Sequence, residues 1–114
     1  MPMPSSQPLG ADFSVAAQID AAAVAELGRA GFKSIINNRP DFEGGPDQPT
    51  AEAIAHAAQA AGLAYAHLPV NPALQTADEV ARFAQLVEQL PKPILAFCRT
   101  GTRSGKLYRA AFGG

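Results

Sequence analysis

The sequence has one cysteine among 114 residues, no tryptophan and a formal net charge of −1. A single cysteine cannot form an internal disulfide or supply a cysteine-based zinc cluster. The near-neutral charge argues against a general nucleic-acid-binding protein. No apolar run approaches the ~18–20 residues of a membrane-spanning helix, and residues 1–9 lack the pattern of a signal peptide. We therefore expect a cytoplasmic protein with neither a membrane nor a nucleic-acid partner.

The abundant residues predict one small globular domain. Hydrophobic residues make up 47% of the chain and 24 residues are alanine, which favours helices around an aliphatic core. We expect a flexible N-terminus over residues 1–10 and a single catalytic domain over 11–114. Residues 1–88 carry all ten acidic and four basic side chains, whereas residues 89–114 carry five basic side chains and no acid. The cysteine, Cys98, lies in this basic segment.

Short apolar segments alternate with helical patterns along the chain. Side chains that can cap a helix precede three of the predicted helices, namely Asp20, Thr50 and Thr76. The alternation predicts an α/β fold in which helices cover both faces of a parallel sheet. Ligands bind beyond the carboxyl ends of such strands. Residues 37–39, Asn71 and Cys98 follow predicted strands, so they should share one edge of the molecule.

The segment from Cys98 to Ser104 follows a predicted strand and precedes a predicted helix. A loop in this position can direct backbone N–H groups and the positive end of the helix towards one anion. Gly101 permits the required turn, and Arg103 can donate two parallel hydrogen bonds to an oxyanion. Such a loop favours a nucleophilic Cys98 thiolate. Ser104 could donate to that thiolate or to a leaving sulfur. The alternative is that Cys98 is a small buried core residue.

Residues 13–112 resemble the phosphatase-like domain of the bacterial beta-lactamase-hydrolase-like family, whose members are described as phosphatases or sulfur transferases. The resemblance is carried by residues 18–19, 31–41, 68–70 and 96–104. It implies a three-layer fold similar to dual-specificity phosphatases, with a four-stranded parallel sheet in the order 1-4-2-3. Domains of this class also occur fused to persulfide-dioxygenase-like hydrolases, which implies such a partner and a place in sulfide detoxification.

The sequence departs from the cysteine phosphatases at three points. Phe97 replaces the histidine that precedes their cysteine, and only four residues instead of five separate Cys98 from Arg103. The shorter loop is similar to that of rhodanese-type sulfurtransferases. Asn71 stands where the phosphatases carry a general-acid aspartate, and an amide cannot protonate a leaving alkoxide. Asp41 is a substitute acid in one interpretation and a turn residue after Pro40 in the other.

We therefore rank sulfur transfer through a Cys98 persulfide first, with thiosulfate or a persulfide as donor. Hydrolysis of a phosphate ester through a phosphocysteine is second, and an idle anion-binding module is third. We expect no cofactor and no metal, because the sequence shows no second cysteine or close carboxylate cluster. The predicted catalytic residues are Cys98, Arg103 and Asp41; the predicted substrate-binding residues are Arg99, Thr100, Gly101, Thr102, Ser104, Arg39 and Asn71. For Arg99 the alternative is a solvated surface charge, and for Arg39 an ion pair with Asp41 or Glu43.

Overall fold

The computed structural model describes residues 6–113, which alternate between strands and helices. In chain order the elements are β1 (Ser6–Gly10), β2 (Phe13–Ala16), α1 (Ala21–Arg29), β3 (Ser34–Asn37), α2 (Ala51–Ala60), β4 (Ala64–His67), α3 (Ala77–Gln89), β5 (Ile94–Phe97) and α4 (Thr102–Phe112). No helix within residues 6–113 is long and apolar enough to cross a membrane.

The strands form one sheet in the order β1-β2-β5-β3-β4. The last four of these are mutually parallel, as a buried α/β sheet requires. Counted from β2, their order is 1-4-2-3, which confirms the topology implied by the family resemblance. The helices between them lie on both faces of the sheet, so the three-layer α/β class is confirmed.

The strand β1 corrects two expectations. It pairs antiparallel with β2 and gives the sheet a fifth strand. Residues 6–10 were predicted to be flexible and are instead part of the sheet; residues 1–5 lie outside the described residues. Sequence patterns did not indicate this strand because it contains Pro8 and has exposed rather than alternating side chains. An edge strand tolerates a proline, since one of its sides needs no N–H donor.

Alternating side chains of the central strand β5 reach the two halves of the core. Ile94 and Ala96 pack with Phe83 of α3 and Leu107 of α4. Leu95 and Phe97 face the opposite side, where the core is completed by residues of α1 and α2 such as Val24, Leu27, Ile54 and Ala58. Burial on both faces fixes the register of β5, since a slip by one residue would exchange the two faces.

Side-chain caps begin the first three helices, as the sequence predicts. Asp20 accepts a hydrogen bond from the backbone N–H of residue 23, and Thr50 accepts one from residue 53. Thr76 and Glu79 form a complete capping box at the start of α3, with bonds of 3.1 and 2.9 Å. Helix α4 differs, because its N-cap is Gly101 with φ of 92° and no side-chain cap.

Candidate active site

The carboxyl ends of β3, β4 and β5 place the predicted polar residues at one edge of the sheet. Cys98 follows β5, residues 38–39 follow β3, and Asn71 lies beyond β4. The backbone N–H of Asn38 donates to the carbonyl of Phe97 at 2.9 Å, which joins the ends of β3 and β5. The edge predicted from strand–helix alternation is therefore present around Cys98.

Cys98 begins a tight loop between β5 and α4. Its side chain is buried, and Sγ accepts a hydrogen bond of 3.0 Å from the backbone N–H of Gly101. A Cβ at Gly101 would lie 3.4 Å from the backbone of Ala16, and the φ of 92° is one that other residues avoid. Glycine is thus needed both for the turn and for the close approach of the loop to β2. The N–H bond to sulfur stabilises negative charge on Sγ.

The loop presents further donors around the cysteine. None of the hydrogen bonds found among residues 6–113 uses the backbone N–H of Arg99, Thr100 or Arg103. These N–H groups precede or begin α4, whose N-terminus carries partial positive charge. Thr100 and Thr102 bond to each other through their hydroxyls at 3.1 Å. The arrangement can therefore bind an anion beside the sulfur of Cys98.

Three bonds fix the guanidinium of Arg103. Nη1 donates to the carbonyls of Asn38 at 3.3 Å and Val70 at 3.1 Å, and Nη2 donates to Oε1 of Glu43 at 3.0 Å. Nε is buried and has no partner within the described part of the chain. Of the five N–H donors of an arginine, the unused pair is therefore Nε–H and one Nη2–H. These donors are left for an oxyanion bound in the loop.

Ser104 takes a different partner from the predicted one. Its hydroxyl donates to Oδ1 of Asn38 at 2.8 Å and not to Cys98, and Nδ2 of Asn38 donates to the carbonyl of Leu68 at 3.0 Å. Asn38 is fully buried and also accepts from Arg103 through its backbone. The role of Ser104 in this structure is thus to join α4 to the end of β3 through Asn38.

A cavity of about 300 Å³ opens over Cys98. It is lined by Arg99, Thr100, Thr102 and Arg103 from the loop, by Lys106 from α4, and by Val70, Asn71, Pro72, Ala73 and Gln75 from the segment after β4. Oδ1 of Asn71 accepts from the backbone N–H of Ala73 at 2.8 Å. None of the hydrogen bonds found in residues 6–113 uses the amide nitrogen of Asn71. Among the described residues, the lining contains three cationic side chains and no carboxyl group.

A second cavity of about 390 Å³ adjoins the first. It is lined by Arg39, Glu43, Gly44, Pro72, Arg99 and Arg103. The two cavities share Pro72, Arg99 and Arg103. They therefore adjoin along these residues as two lobes of the cleft, which we call the cysteine lobe and the arginine lobe.

The structure separates the predicted site residues into two groups. Cys98, Arg99, Thr100, Gly101, Thr102, Arg103, Ser104, Asn71 and Arg39 lie in the loop or the cleft. Asp41 does not line either lobe, and its Oδ1 accepts a bond of 2.7 Å from the backbone N–H of Ala51 at the start of α2. This contact matches the turn interpretation. Its role as a general acid stays an untested prediction.

Sequence reasoning named Glu43 only as one possible partner of Arg39, and its bond to Arg103 was not expected. One oxygen, Oε1, accepts from Nε of Arg39 at 2.9 Å and from Nη2 of Arg103 at 3.0 Å. Burial alone raises the pKa of Glu43, but the hydrogen bonds from Arg103 and then Arg39 outweigh it, so the pKa lies below the ordinary value of 4.5. Glu43 is therefore a carboxylate at neutral pH and not a proton donor.

The Arg39 side chain is held in place by bonds to other protein side chains. It is buried, and Nη1 donates to Oε1 of Gln18 at 3.1 Å while Nε donates to Glu43. This confirms the pairing with Glu43 that the sequence allowed.

Within residues 6–113 no group of three or more His, Cys, Asp and Glu side chains could hold a metal ion.

Fold and loop together define a phosphatase-like domain whose cysteine ends a central parallel strand. The family described as "Beta-lactamase hydrolase-like protein, phosphatase-like domain" matches residues 7–113, and the chain belongs to this family. A beta-lactamase hydrolase-like protein of Agrobacterium fabrum is 39% identical over 104 residues, which is 91% of this chain and 21% of the relative. A beta-lactamase hydrolase-like protein of Xylella fastidiosa is 40% identical over 80 residues, which is 70% of this chain and 18% of the relative. The chain thus spans about a fifth of the length of these relatives.

Solved structures show the same architecture. A candidate phosphatase of Neisseria meningitidis has a TM-score of 0.83 and 34% identity, covering 89% of this chain and 71% of that one. The Pseudomonas aeruginosa protein TpbA, in complex with phosphotyrosine, has a TM-score of 0.65 at 18% identity. The match covers 96% of this chain and 65% of that one. At that identity the second likeness establishes the fold alone.

Proposed function

We propose that this domain transfers sulfane sulfur through a persulfide on Cys98. The thiolate attacks the outer sulfur of thiosulfate or of a persulfide. The sulfur–sulfur bond of the donor breaks as a new bond to Sγ forms, and sulfite or a thiolate leaves with the electron pair. A second thiolate then attacks the outer sulfur of the Cys98 persulfide and releases the cysteine as a thiolate. Neither step needs an external oxidant or reductant.

The observation that carries the proposal is the lack of a carboxyl group among the residues that line the cysteine lobe. Hydrolysis of an alkyl phosphate requires a general acid to protonate the leaving oxygen. Asn71 has no acidic proton to give, Asp41 is bonded at the start of α2, and Glu43 is held ionised by two arginines. Sulfite and thiolates leave as stable anions, so sulfur transfer proceeds without such an acid.

The length and the free donors of the loop from Cys98 to Arg103 also support sulfur transfer. Four residues separate Cys98 from Arg103, one fewer than in the cysteine phosphatases that the family resembles. The free edge of Arg103 and the unused N–H groups of Arg99 and Thr100 suit the sulfonate oxygens of thiosulfate or its sulfite product. Their role is to stabilise the charge that grows on the leaving group.

Phosphate-ester hydrolysis is the second candidate, and family membership favours it. The Neisseria relative carries a phosphatase description, and the TpbA structure holds phosphotyrosine in the same fold. Aryl phosphates release a phenol, which depends less on a general acid than an alcohol does. In this mechanism Sγ attacks phosphorus, the aryl oxygen leaves, and water hydrolyses the phosphocysteine.

We place the sulfur-transfer activity in cytoplasmic sulfide detoxification, next to a persulfide-dioxygenase-like hydrolase. The relatives that share this domain are named beta-lactamase hydrolase-like proteins, and the domain accounts for about a fifth of their length. A hydrolase domain in the rest of those chains would provide a neighbouring consumer of persulfides. The experiment for this partner is co-purification of the two proteins and a test of whether one accelerates the other.

Intact mass spectrometry tests the proposed function. The reduced protein is incubated with thiosulfate or glutathione persulfide, and Cys98→Ser is treated in parallel. A gain of one sulfur atom on the wild type alone supports sulfur transfer through Cys98. No gain with either donor contradicts it, and turnover of an aryl phosphate would then support the phosphatase. Anion binding without either activity, unchanged in Cys98→Ser, would identify a binding module.

A further inference from the structure

The two-lobed cleft restricts the shape of a molecule that reacts at Cys98. The cysteine lobe, at about 300 Å³, takes the reacting sulfur atoms. The arginine lobe adds about 390 Å³ and meets it at Pro72, Arg99 and Arg103. Inorganic thiosulfate would fill only a small part of the combined volume, which is in the range of pockets for small organic ligands.

The arginine lobe has an excess of positive charge. Three arginines line it, and Glu43 is its only carboxylate among the described residues. That carboxylate is already shared by Arg39 and Arg103. Arg99 is exposed, and none of the hydrogen bonds found in residues 6–113 involves its guanidinium. A ligand that carries its own carboxylate would supply the missing partner for Arg99.

We propose that the arginine lobe binds the carboxylate of a low-molecular-weight thiol that accepts sulfur from the Cys98 persulfide. This proposal rests on the proposed sulfur transfer. With its carboxylate at Arg99, the acceptor directs its own thiolate into the cysteine lobe. The acceptor sulfur bonds to the outer sulfur, the bond from that sulfur to Sγ breaks, and Cys98 leaves as a thiolate. The product is the acceptor's persulfide, and the electron count is unchanged.

The contacts of the two other arginines leave Arg99 as the residue that binds the carboxylate of the acceptor. Arg103 donates three hydrogen bonds to Asn38, Val70 and Glu43, which hold its guanidinium in place. Arg39 is buried and held by Gln18 and Glu43. Arg99 alone of the three combines exposure with freedom from a protein partner. Replacing it should therefore change the preference for acceptors without removing the anion loop.

The test follows the unloading of Cys98 by three thiols of similar size and different charge. The protein is first loaded with sulfur, and loading is confirmed by intact mass. It is then mixed with 3-mercaptopropionate, 2-mercaptoethanol or cysteamine at low salt, and each rate is expressed per thiolate. We expect the carboxylate thiol to unload the wild type about fivefold faster than the neutral thiol, as for an exposed ion pair.

Variants separate the subsite from general charge effects. Arg99→Gln should abolish the preference, so that the ratio of the rates with 3-mercaptopropionate and 2-mercaptoethanol falls to about one. Arg82→Gln, an exposed cation on α3 outside both lobes, is the control and should keep the preference. Added salt should reduce the preference of the wild type.

The possible outcomes distinguish the two proposals. Loading without any charge preference, or a preference that survives in Arg99→Gln, overturns the acceptor subsite and leaves sulfur transfer standing. A protein that never loads overturns both. Loading with a preference that only Arg99→Gln abolishes supports both.

Discussion

The shared carboxylate of Glu43 gives the most direct test of how the site is held together. Glu43 bonds to Arg39 at 2.9 Å and Arg103 at 3.0 Å, and each arginine side chain is only 9% exposed. Glu43→Gln keeps an acceptor oxygen of the same size but removes the negative charge. Two buried guanidinium groups then face each other without a counter-charge.

The expected cost follows from these contacts. Hydrogen bonds to charged groups contribute about 1.5–3 kcal/mol. The Glu43 side chain is 21% exposed, so solvent weakens the pair, and the amide oxygen retains part of the bonding. We expect Glu43→Gln to lower the free energy of unfolding by about 1–2 kcal/mol. For a domain of this size the melting temperature should fall by about 4–8 °C.

The sign of the pH dependence is fixed by the lowered pKa of Glu43. Since the folded-state pKa lies below the ordinary 4.5, the ion pair contributes its full stabilisation above pH 4.5. That stabilisation is lost as the pH falls through the folded-state pKa. The difference in melting temperature between wild type and Glu43→Gln should be constant from about pH 6 to 8 and shrink in acid.

Thermal unfolding of both proteins across this pH range is the assay, with Glu88→Gln as control. Glu88 is exposed on α3, and no side-chain hydrogen bond of its carboxylate occurs within residues 6–113. Its replacement should leave the melting curve almost unchanged. Equal stability of wild type and Glu43→Gln at neutral pH, or a difference that persists undiminished in acid, would refute the two-arginine pairing.

Three further substitutions test other parts of the structure. Gly101→Ala places a side chain at a φ of 92° and 3.4 Å from the backbone of Ala16. In chemical denaturation it should lower the free energy of unfolding by about 1–2 kcal/mol. It should also abolish the loading of Cys98 with sulfur. Asn38→Ala leaves the buried Ser104 hydroxyl and the carbonyl of Leu68 without their partner. In the same assay it should lower the free energy of unfolding by about 2–4 kcal/mol, and Asn38→Asp should recover part of this loss. Thr76→Ala removes one half of a capping box and should cost about 1 kcal/mol without altering the rate of the enzyme.

Local signals predicted much of this fold. The caps at Asp20, Thr50 and Thr76 were visible because each requires only a short side chain just before a helical pattern. The anion loop was visible because the cysteine, a glycine and an arginine stand between an apolar strand and a helix. The order of the parallel strands came from the family resemblance, since periodicity does not specify which strands are neighbours.

The features that were missed depend on tertiary contacts. Glu43 lies in a segment rich in glycine and proline, where no periodicity shows which direction a side chain takes. Its contact with Arg103 spans sixty positions of sequence. Ser104 was expected to donate to the Cys98 thiolate or to a leaving sulfur, but the end of β3 brings Oδ1 of Asn38 within 2.8 Å of its hydroxyl. Strand β1 depends on pairing with β2 and not on a pattern of its own.

The position of β5 in the sheet has a consequence for how the protein assembles. Of the five strands in residues 6–113 this one is synthesised last, yet it lies between β2 and β3, which do not pair with each other. The centre of the sheet therefore stays open until the C-terminal part of the chain arrives. Contacts between distant segments make such closure slow compared with helix formation. Cys98 directly follows the strand that completes the core, so a chain that has not closed its sheet also lacks its candidate active site.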